Sequence, residues 1–236
     1  MVRAVIFDFN GVLIDDESLH FAMFAEILEE EGVVITEGDY HERYLGLDDR
    51  GCFDAALVDG GKSAEGSKVD DMIARKAARY AEEAAKFLKI FPGAPECLAA
   101  LSERLPLAIN SGALRPEIEF ALILMERRPC VSAIVSAEEV PRCKPDPQGY
   151  TMAYERLRDC EGLGLGDLTP QECLVIEDSL AGIESAKGAG MWAVGISNTY
   201  AADDLRSAGA DDVIDHLDRF TPDWIASRFA ASVSSL

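Results

Sequence analysis

A short apolar segment near the start of the chain ends on a carboxylate, and a sharp turn follows at once. Residues 5–7 precede Asp8, and Asn10 and Gly11 come shortly afterwards, before a second apolar stretch. This order predicts a strand that carries Asp8 to its C-terminal tip. Ligands of open α/β sheets bind at the carboxyl ends of the strands. The spacing therefore makes Asp8 a candidate for chemistry; the alternative is a solvated carboxylate in a turn.

Polar side chains also follow three later apolar segments. Ser111 follows the second predicted strand, Lys144 follows the third, and Glu177 and Asp178 follow the fourth. Each signal alone is weak, because a serine after a strand is usually a helix cap. The carboxyl ends of parallel strands meet at one edge of a sheet, so we expect these side chains to converge there.

The elements that must position these residues alternate between strand and helix along most of the chain. After the Asp8 strand, further strands are predicted at residues 107–110, 131–135, 173–176, 192–196 and 212–214. Intervening helices are predicted at residues 94–104, 116–126, 146–159 and 180–189. Alternation of this kind is typical of βαβ units in a parallel sheet. We therefore predict an α/β fold with a Rossmann-like core.

One helical stretch interrupts this alternation directly after the first strand. No strand is predicted between residues 15 and 90, and an amphipathic helix is predicted at about residues 69–89. We predict a core domain of residues 1–14 and 91–236, and an inserted all-helical cap domain of residues 15–90. Hinges are expected near residues 14–17 and 88–92.

Composition excludes several classes of partner. The formal net charge of −21 disfavours nucleic acid and anionic membrane surfaces. No apolar run approaches the ~20 residues that cross a bilayer, and the N-terminal residues lack the features of a signal peptide. The six cysteines include no C-x-x-C pair, so we expect reduced thiols in a cytoplasmic protein. A monomer is expected.

Taken in order, the polar residues resemble the four motifs of the haloacid dehalogenase (HAD) superfamily, in the β-phosphoglucomutase-like branch. Asp8 with the following Phe-Asn-Gly-Val is similar to the first motif, normally D-x-D-G-[VT]. Ser111, Lys144 and the pair Glu177 and Asp178 are similar to the second, third and fourth motifs. The resemblance covers essentially the whole chain and implies a helical cap inserted after the first strand.

The resemblance implies phosphoryl transfer to Asp8, which would become an aspartyl-phosphate. Lys144 would pair with both Asp8 and the phosphate, and Ser111 would donate a hydrogen bond to the transferred oxygens. These roles agree with the chemistry, because such a site must cancel the repulsion between a carboxylate and phosphate oxygens.

The cofactor that the resemblance implies is Mg²⁺. It would be held by Asp8, Asp178 and the main-chain carbonyl of Asn10, with Glu177 assisting. Oxygen ligands of this kind are the ones that Mg²⁺ prefers.

Substrate contacts are expected from both predicted domains. Gly11 and Gly112 lie in the turns after the first two strands, Asn110 ends the second of these strands, and His20 lies in the predicted helical cap. Arg50 and Lys76 resemble the cap-side cations of the branch, which suits a second phosphate or a sugar hydroxyl. The alternative for each is a solvated helix charge, because Lys and Arg are mostly exposed.

Position 10 departs from the motif, whose second carboxylate is the general acid and base. Asn10 cannot exchange a proton near neutral pH, and the loss of a positioned acid or base costs about 10²–10⁴ in rate. Four explanations remain open: a phosphatase whose leaving groups need no proton, another acid such as His20, a deliberate substitution, and deamidation of Asn10. His20 is suited to proton transfer near neutral pH; its alternative is a solvated histidine.

We predict a Mg²⁺-dependent phosphatase that acts on a small phosphorylated metabolite, with a sugar phosphate expected. A phosphosugar mutase is an alternative, although both of its half-reactions need a proton shuttle, which Asn10 disfavours. A dehalogenase needs no metal, and the acidic pair Glu177 and Asp178 disfavours it. A protein that only binds a phosphorylated ligand is the last alternative.

Overall fold

The computed structural model of the chain describes residues 1–45 and 47–229. Its strands and helices are, in chain order, β1 (Ala4–Phe7), β2 (Ile14–Asp15), α1 (Glu17–Glu30), α2 (Glu37–Asp39), α3 (Asp49–Asp59), α4 (Gly66–Phe87), β3 (Lys89–Ile90), α5 (Ala94–Ser102), β4 (Leu107–Asn110), α6 (Arg115–Leu124), β5 (Ala133–Val135), α7 (Gln148–Arg158), β6 (Cys173–Glu177), α8 (Leu180–Gly188), β7 (Trp192–Ile196), α9 (Ala202–Ser207), β8 (Asp212–Ile214) and α10 (Pro222–Arg228). None of the helices in these ranges is long and apolar enough to cross a membrane.

The predicted α/β fold with a parallel sheet is confirmed. Six strands are ordered β5-β4-β1-β6-β7-β8, and every neighbouring pair is parallel. In β1, Val5 and Phe7 face one apolar cluster while Ala4 and Ile6 face another. Both faces are covered, which explains why this strand is apolar at every position instead of alternating. β1 therefore lies in the middle of the sheet and holds Asp8 at its centre.

Between β1 and α5 the described residues form helices joined by turns, with two very short strands, β2 and β3. Helices α1, α3 and α4 contribute to a third apolar cluster, which includes Phe24, Phe53 and Met72. β2 and β3 pair antiparallel at the two points where the chain enters and leaves this segment. The prediction of no strand between residues 15 and 90 is therefore wrong at its edges, because two-residue strands are too short to give an alternating pattern. The predicted domain boundaries stay a prediction.

Other differences from the predicted elements are small. β5 begins at Ala133 rather than at residue 131, and the helices of the core differ by one or two residues at their ends. Helices α9 and α10 were not predicted, since they have only six and seven residues and short helices give little periodic signal. Neither helix contains a residue that the sequence singles out as part of a site.

Candidate active site

Five of the sequence-predicted residues meet at the carboxyl edge of the sheet. Asp8 follows β1, Ser111 follows β4, and Glu177 and Asp178 lie at the end of β6. Lys144 reaches the same place from the loop between β5 and α7. All of these except Lys144 are almost fully buried. The convergence expected from the strand ends is therefore present in the structure.

Lys144 bridges two carboxylates. Its Nζ lies 2.6 Å from Asp8 Oδ1 and 2.5 Å from Glu177 Oε1. Burial by itself lowers the pKa of Lys144, but the charges of Asp8 and Glu177 more than reverse this effect and raise the pKa above its ordinary value. Lys144 is therefore a fixed positive charge beside Asp8. Its peptide bond to Pro145 is cis.

Glu177 is surrounded by hydrogen-bond donors. Oε1 accepts from the hydroxyl of Tyr150 at 2.8 Å as well as from Lys144. Oε2 accepts from the backbone N–H and the hydroxyl of Ser179, at 3.0 and 2.9 Å. A Cβ at Gly182 would lie 1.8 Å from Oε1, so the helix that follows can pack here only with glycine. The main role of Glu177 in these contacts is therefore to hold Lys144 in place.

Asp178 packs against the turn that follows Asp8. A Cβ at Gly11 would lie 1.9 Å from Asp178 Oδ2, and the φ of +74° at Gly11 also favours glycine. The hydroxyl of Thr199 donates to the same carboxylate. Burial, with the charges of Glu177 and Asp8, raises the pKa of Asp178 well above its ordinary value. The Asp178 carboxylate is thus desolvated beside two others of its own charge.

The charge balance of this cluster fits a divalent cation. Asp8, Glu177 and Asp178 each offer an oxygen, and the three oxygens lie within 4.8 Å of one another. Against these three carboxylates the described residues of the cluster hold one ammonium group, that of Lys144. Burial also raises the pKa of Asp8, although Lys144 opposes the shift. Hard oxygen donors with excess negative charge are a suitable set for Mg²⁺.

Asn10 lies beside this cluster and contacts residues of the helical segment. Its Nδ2 donates to both carboxylate oxygens of Asp16, at 3.1 and 3.0 Å. Its Oδ1 accepts from the hydroxyl of Ser111 at 3.1 Å. His20 Nε2 lies 3.2 Å from Asn10 Nδ2 and 3.0 Å from Asp16 Oδ2. The predicted candidate His20 is thus at the site, together with a carboxylate that the sequence had not suggested.

A cavity opens over these residues, between the sheet edge and the helical segment. On the side of the sheet and of the loops after its strands, the lining includes Asp8, Asn10, Asn110, Ser111, Gly112, Arg142, Lys144 and Asp178. From the helical segment and its neighbouring loops it is lined by His20, Phe24, Tyr40, Leu45, Leu47, Asp48 and Asp49. A ligand here would meet polar groups on one side and a mostly apolar and aromatic wall, with two carboxylates, on the other.

Three of the expected substrate contacts lie outside the described lining of this cavity. Gly11 turns its carbonyl to the side chain of Asn198, which donates to it at 2.8 Å. Arg50 is half-exposed, and its guanidinium pairs with Asp70. Lys76 is buried, with Nζ 2.5 Å from Asp49 Oδ1. Ion pairing within the helical segment, rather than a substrate, thus accounts for both cations.

Sequence reasoning missed Asp16, Tyr80, Tyr150 and Thr199. Asp16 contacts Asn10 and His20, which are close to it in the chain. The other three come from distant segments: Tyr150 donates to Glu177, Thr199 donates to Asp178, and the Tyr80 hydroxyl donates to Asp16 Oδ2 at 2.5 Å. Asp16 had a usable signal, since it stands at the predicted hinge within an acidic turn. The other three gave no sequence signal, because a single hydroxyl at a buried position has no spacing to compare.

The chain is similar to several known proteins. A protein of Streptomyces hygroscopicus subsp. limoneus, validoxylamine A 7'-phosphate phosphatase, is 30% identical over 209 residues, which cover 88% of this chain and 92% of that protein. The phosphorylated carbohydrates phosphatase of Thermotoga maritima is 30% identical over 195 residues, covering 80% and 82%. In fold, the chain is similar to the β-phosphoglucomutase structure from Clostridium difficile, with a TM-score of 0.83, 22% identity and 97% of each chain covered.

The family model of haloacid dehalogenase-like hydrolases matches residues 2–190, which is most of the chain. The match includes β1, the whole helical segment, and the residues that gather around Asp8. The resemblance proposed from the motifs is therefore confirmed. The chain belongs to the haloacid dehalogenase-like hydrolases and is an enzyme of that family.

Proposed function

We propose that the protein is a Mg²⁺-dependent phosphatase of small phosphorylated metabolites, with sugar phosphates as the expected class. The observation that carries this proposal is the buried Asp8 carboxylate, held 2.6 Å from the ammonium of Lys144 beside two further carboxylates. A halide leaving group would not need these extra charges, whereas phosphate chemistry requires a cation between anions. Two relatives with 30% identity are named validoxylamine A 7'-phosphate phosphatase and phosphorylated carbohydrates phosphatase, which supports a phosphorylated metabolite as substrate.

In this proposal an Asp8 oxygen attacks phosphorus, the bond between phosphorus and the substrate oxygen breaks, and that oxygen leaves as an alcohol after taking a proton from His20 or from water. Water then attacks the phosphorus of the aspartyl-phosphate, which releases inorganic phosphate and restores the Asp8 carboxylate. Lys144 compensates the charge of Asp8 and of a transferred oxygen. The Ser111 hydroxyl, directed by the Ala113 N–H that donates to it at 3.0 Å, lies on the same side of the cavity. Asp8, Asp178 and the Asn10 carbonyl would hold Mg²⁺, which when bound supplies charge neutralisation between the nucleophile and the phosphate.

The wall opposite the strand ends supports a substrate with one phosphate. Phe24 and Tyr40 supply aromatic lining for a sugar or polyol body, and Asp48 and Asp49 offer acceptors to its hydroxyls. The cations considered for a second phosphate, Arg50 and Lys76, are paired with carboxylates of their own segment. Arg142, which also lines the cavity, pairs with Asp146 at 3.1 Å. A bisphosphate would add negative charge beside Asp48, so we expect monophosphates to be preferred.

Phosphate release tests the proposal. Sugar monophosphates, a sugar bisphosphate and an aryl phosphate are compared with Mg²⁺ and with EDTA. We expect release that depends on Mg²⁺ and is lost in Asp8→Asn, while the surface control Asp203→Asn, which removes the same charge at an exposed position, retains it. Release that persists in Asp8→Asn would refute the nucleophile. Ligand-dependent stabilisation without any release would favour a binding protein instead.

A further inference from the structure

The side chain at position 10 occupies a place that fits an amide and does not fit a carboxylate. On one side Asn10 Nδ2 needs an acceptor, and the two oxygens of Asp16 lie 3.1 and 3.0 Å away. On the other side Asn10 Oδ1 accepts from the hydroxyl of Ser111 at 3.1 Å. An amide offers a donor and an acceptor, whereas a carboxylate only accepts. An aspartate at position 10 would therefore place two carboxylates against each other.

Asp16 is the acceptor of three donors from different elements. Besides Asn10, the hydroxyl of Tyr80 donates to Oδ2 at 2.5 Å, and His20 Nε2 lies 3.0 Å from the same oxygen. The Asp16 side chain is 1% exposed, so these donors replace water completely. The contacts of Asp16 with Asn10, His20 and Tyr80 all come from groups that can donate a hydrogen bond, as a buried carboxylate requires.

The position of Asp16 in the chain makes this carboxylate a link between the sheet and the helical segment. Asp16 directly follows β2, at the point where the chain leaves the first motif. His20 belongs to α1 and Tyr80 to α4, so both packed helices are tied through one carboxylate to the turn that carries Asn10. His20 and Asn10 both line the cavity. The hydrogen bonds to Asp16 therefore also fix how the helical segment faces the cavity.

We propose that Asn10 and Asp16 are a matched pair. The carboxylate that the first motif normally carries at position 10 is replaced by an amide, and a carboxylate stands beside it at position 16. Asp16 is then a positioning residue: it orients the Asn10 amide and the His20 ring and holds the helical segment over the cavity. The inference rests on the proposed phosphatase activity only for its kinetic test, because the pairing itself is a property of the fold. If the aspartate at position 10 had simply been lost, no second residue would be matched to Asn10. The pairing with Asp16 therefore distinguishes the two cases.

The exchange of the two side chains offers a direct test. In Asn10→Asp/Asp16→Asn the two groups still form a donor–acceptor pair, and the amide oxygen introduced at position 16 could accept from Tyr80 and His20. The cycle consists of the parent, both single variants and the double variant, each measured for thermal midpoint and for kcat and KM on a sugar phosphate and an aryl phosphate. Gln171→Glu, an exposed amide-to-carboxylate change, controls for the added charge.

We expect both single variants to lower the midpoint and the double variant to recover most of the loss. On the sugar phosphate, kcat of the double variant should exceed that of each single variant by about tenfold or more, because contacting residues are not additive. The aryl phosphate, whose leaving group needs little help, should distinguish the variants less. Such a split between substrates would not arise from a purely structural role.

Additive effects in the cycle would overturn the proposal. So would an Asn10→Asp variant that keeps the parent midpoint and gains activity by orders of magnitude. If Asn10→Asp does not fold, we expect the added Asp16→Asn substitution to restore folding. If the double variant also does not fold while Asn10→Ala does, the proposed pairing is contradicted. If no variant or parent releases phosphate, the proposed function fails while the thermal cycle still decides the pairing.

Discussion

Replacing Lys144 with Met removes the ammonium group that balances a cluster of three buried carboxylates. Lys144 Nζ contacts Asp8 at 2.6 Å and Glu177 at 2.5 Å, and its side chain is 18% exposed. Met keeps the length of the side chain and removes its charge. The variant therefore isolates the electrostatic part of the contact.

The expected loss of stability follows from the carboxylates that are left behind. Removing one partner of a buried ion pair costs about 3–5 kcal/mol, because the remaining charge stays desolvated without compensation. In a chain of this size each kcal/mol shifts the thermal midpoint by about 2–4 °C. We expect Lys144→Met to lower the midpoint by about 6–20 °C. Phosphate release should fall with it, because Asp8 loses the charge that balances an incoming phosphate.

Thermal unfolding in EDTA, followed by circular dichroism, measures this change without a divalent cation that could replace the lysine. Lys86→Met is the matched control: Lys86 pairs with Glu83 at 2.9 Å on an exposed helix surface. Exposed pairs contribute little, so the control midpoint should stay near that of the parent. If Lys144→Met unfolds at the same temperature as Lys86→Met, the reasoning from a charge-balanced buried cluster is wrong.

Three further predictions concern the surroundings of this cluster. Gly11→Ala should weaken Mg²⁺ affinity about 10–100-fold in calorimetric titration, because the added Cβ would lie 1.9 Å from Asp178 Oδ2. The control is Gly61→Ala, since Gly61 has a similar φ and no described atom within 4 Å of the added Cβ. The control should leave Mg²⁺ affinity unchanged. Hydrogen bonds from two arginines and Ser136 lower the pKa of Glu139 to about 2. Glu139→Gln should therefore lower the free energy of unfolding by about 1 kcal/mol at neutral pH. In urea unfolding this difference from the parent should disappear as the pH falls from 4.5 towards 2. A difference that does not depend on pH would contradict the lowered pKa of Glu139. Competition assays should show a lower KM for a sugar monophosphate than for the matching bisphosphate, and the opposite order would mean that the paired cations of the helical segment release their partners.

The polar residues at the strand ends could be predicted from the sequence, because each of them closely follows a short apolar run. Asp8, Ser111 and Asp178 occupy the expected edge for that reason, and the parallel topology brings them together. Lys144 also follows a predicted strand, but it stands well inside the loop after β5, so its local signal was weaker. Its assignment depended on the order of the motifs.

What the sequence could not predict depends on which side chain meets which across the fold. Asp16 and Tyr80 are 64 residues apart, and no local pattern pairs them. The same holds for Arg50, whose partner Asp70 lies on another helix and withdraws it from the cavity. Charged residues of the helical segment were expected to face the substrate because their partners were unknown. Long-range pairing therefore decides what is available for binding, and only the structure records it.

The structure also bears on the explanations for Asn10. Deamidation requires the Gly11 backbone nitrogen to attack the Asn10 side chain, but that N–H donates to the Ile14 carbonyl at 2.9 Å. Both polar atoms of the Asn10 amide are hydrogen-bonded as well. These contacts favour an asparagine that belongs to the site over one that converts to aspartate.

The most direct test of the central claim is to capture a phosphoryl group on Asp8. The protein is mixed with Mg²⁺ and an aryl phosphate that carries a labelled phosphoryl group, quenched with acid within milliseconds to seconds, and mapped by peptide. We expect a label on the peptide that contains Asp8, released by hydroxylamine and absent from Asp8→Asn. Phosphate release without labelled protein, or a label that persists in Asp8→Asn, would contradict the proposed nucleophile.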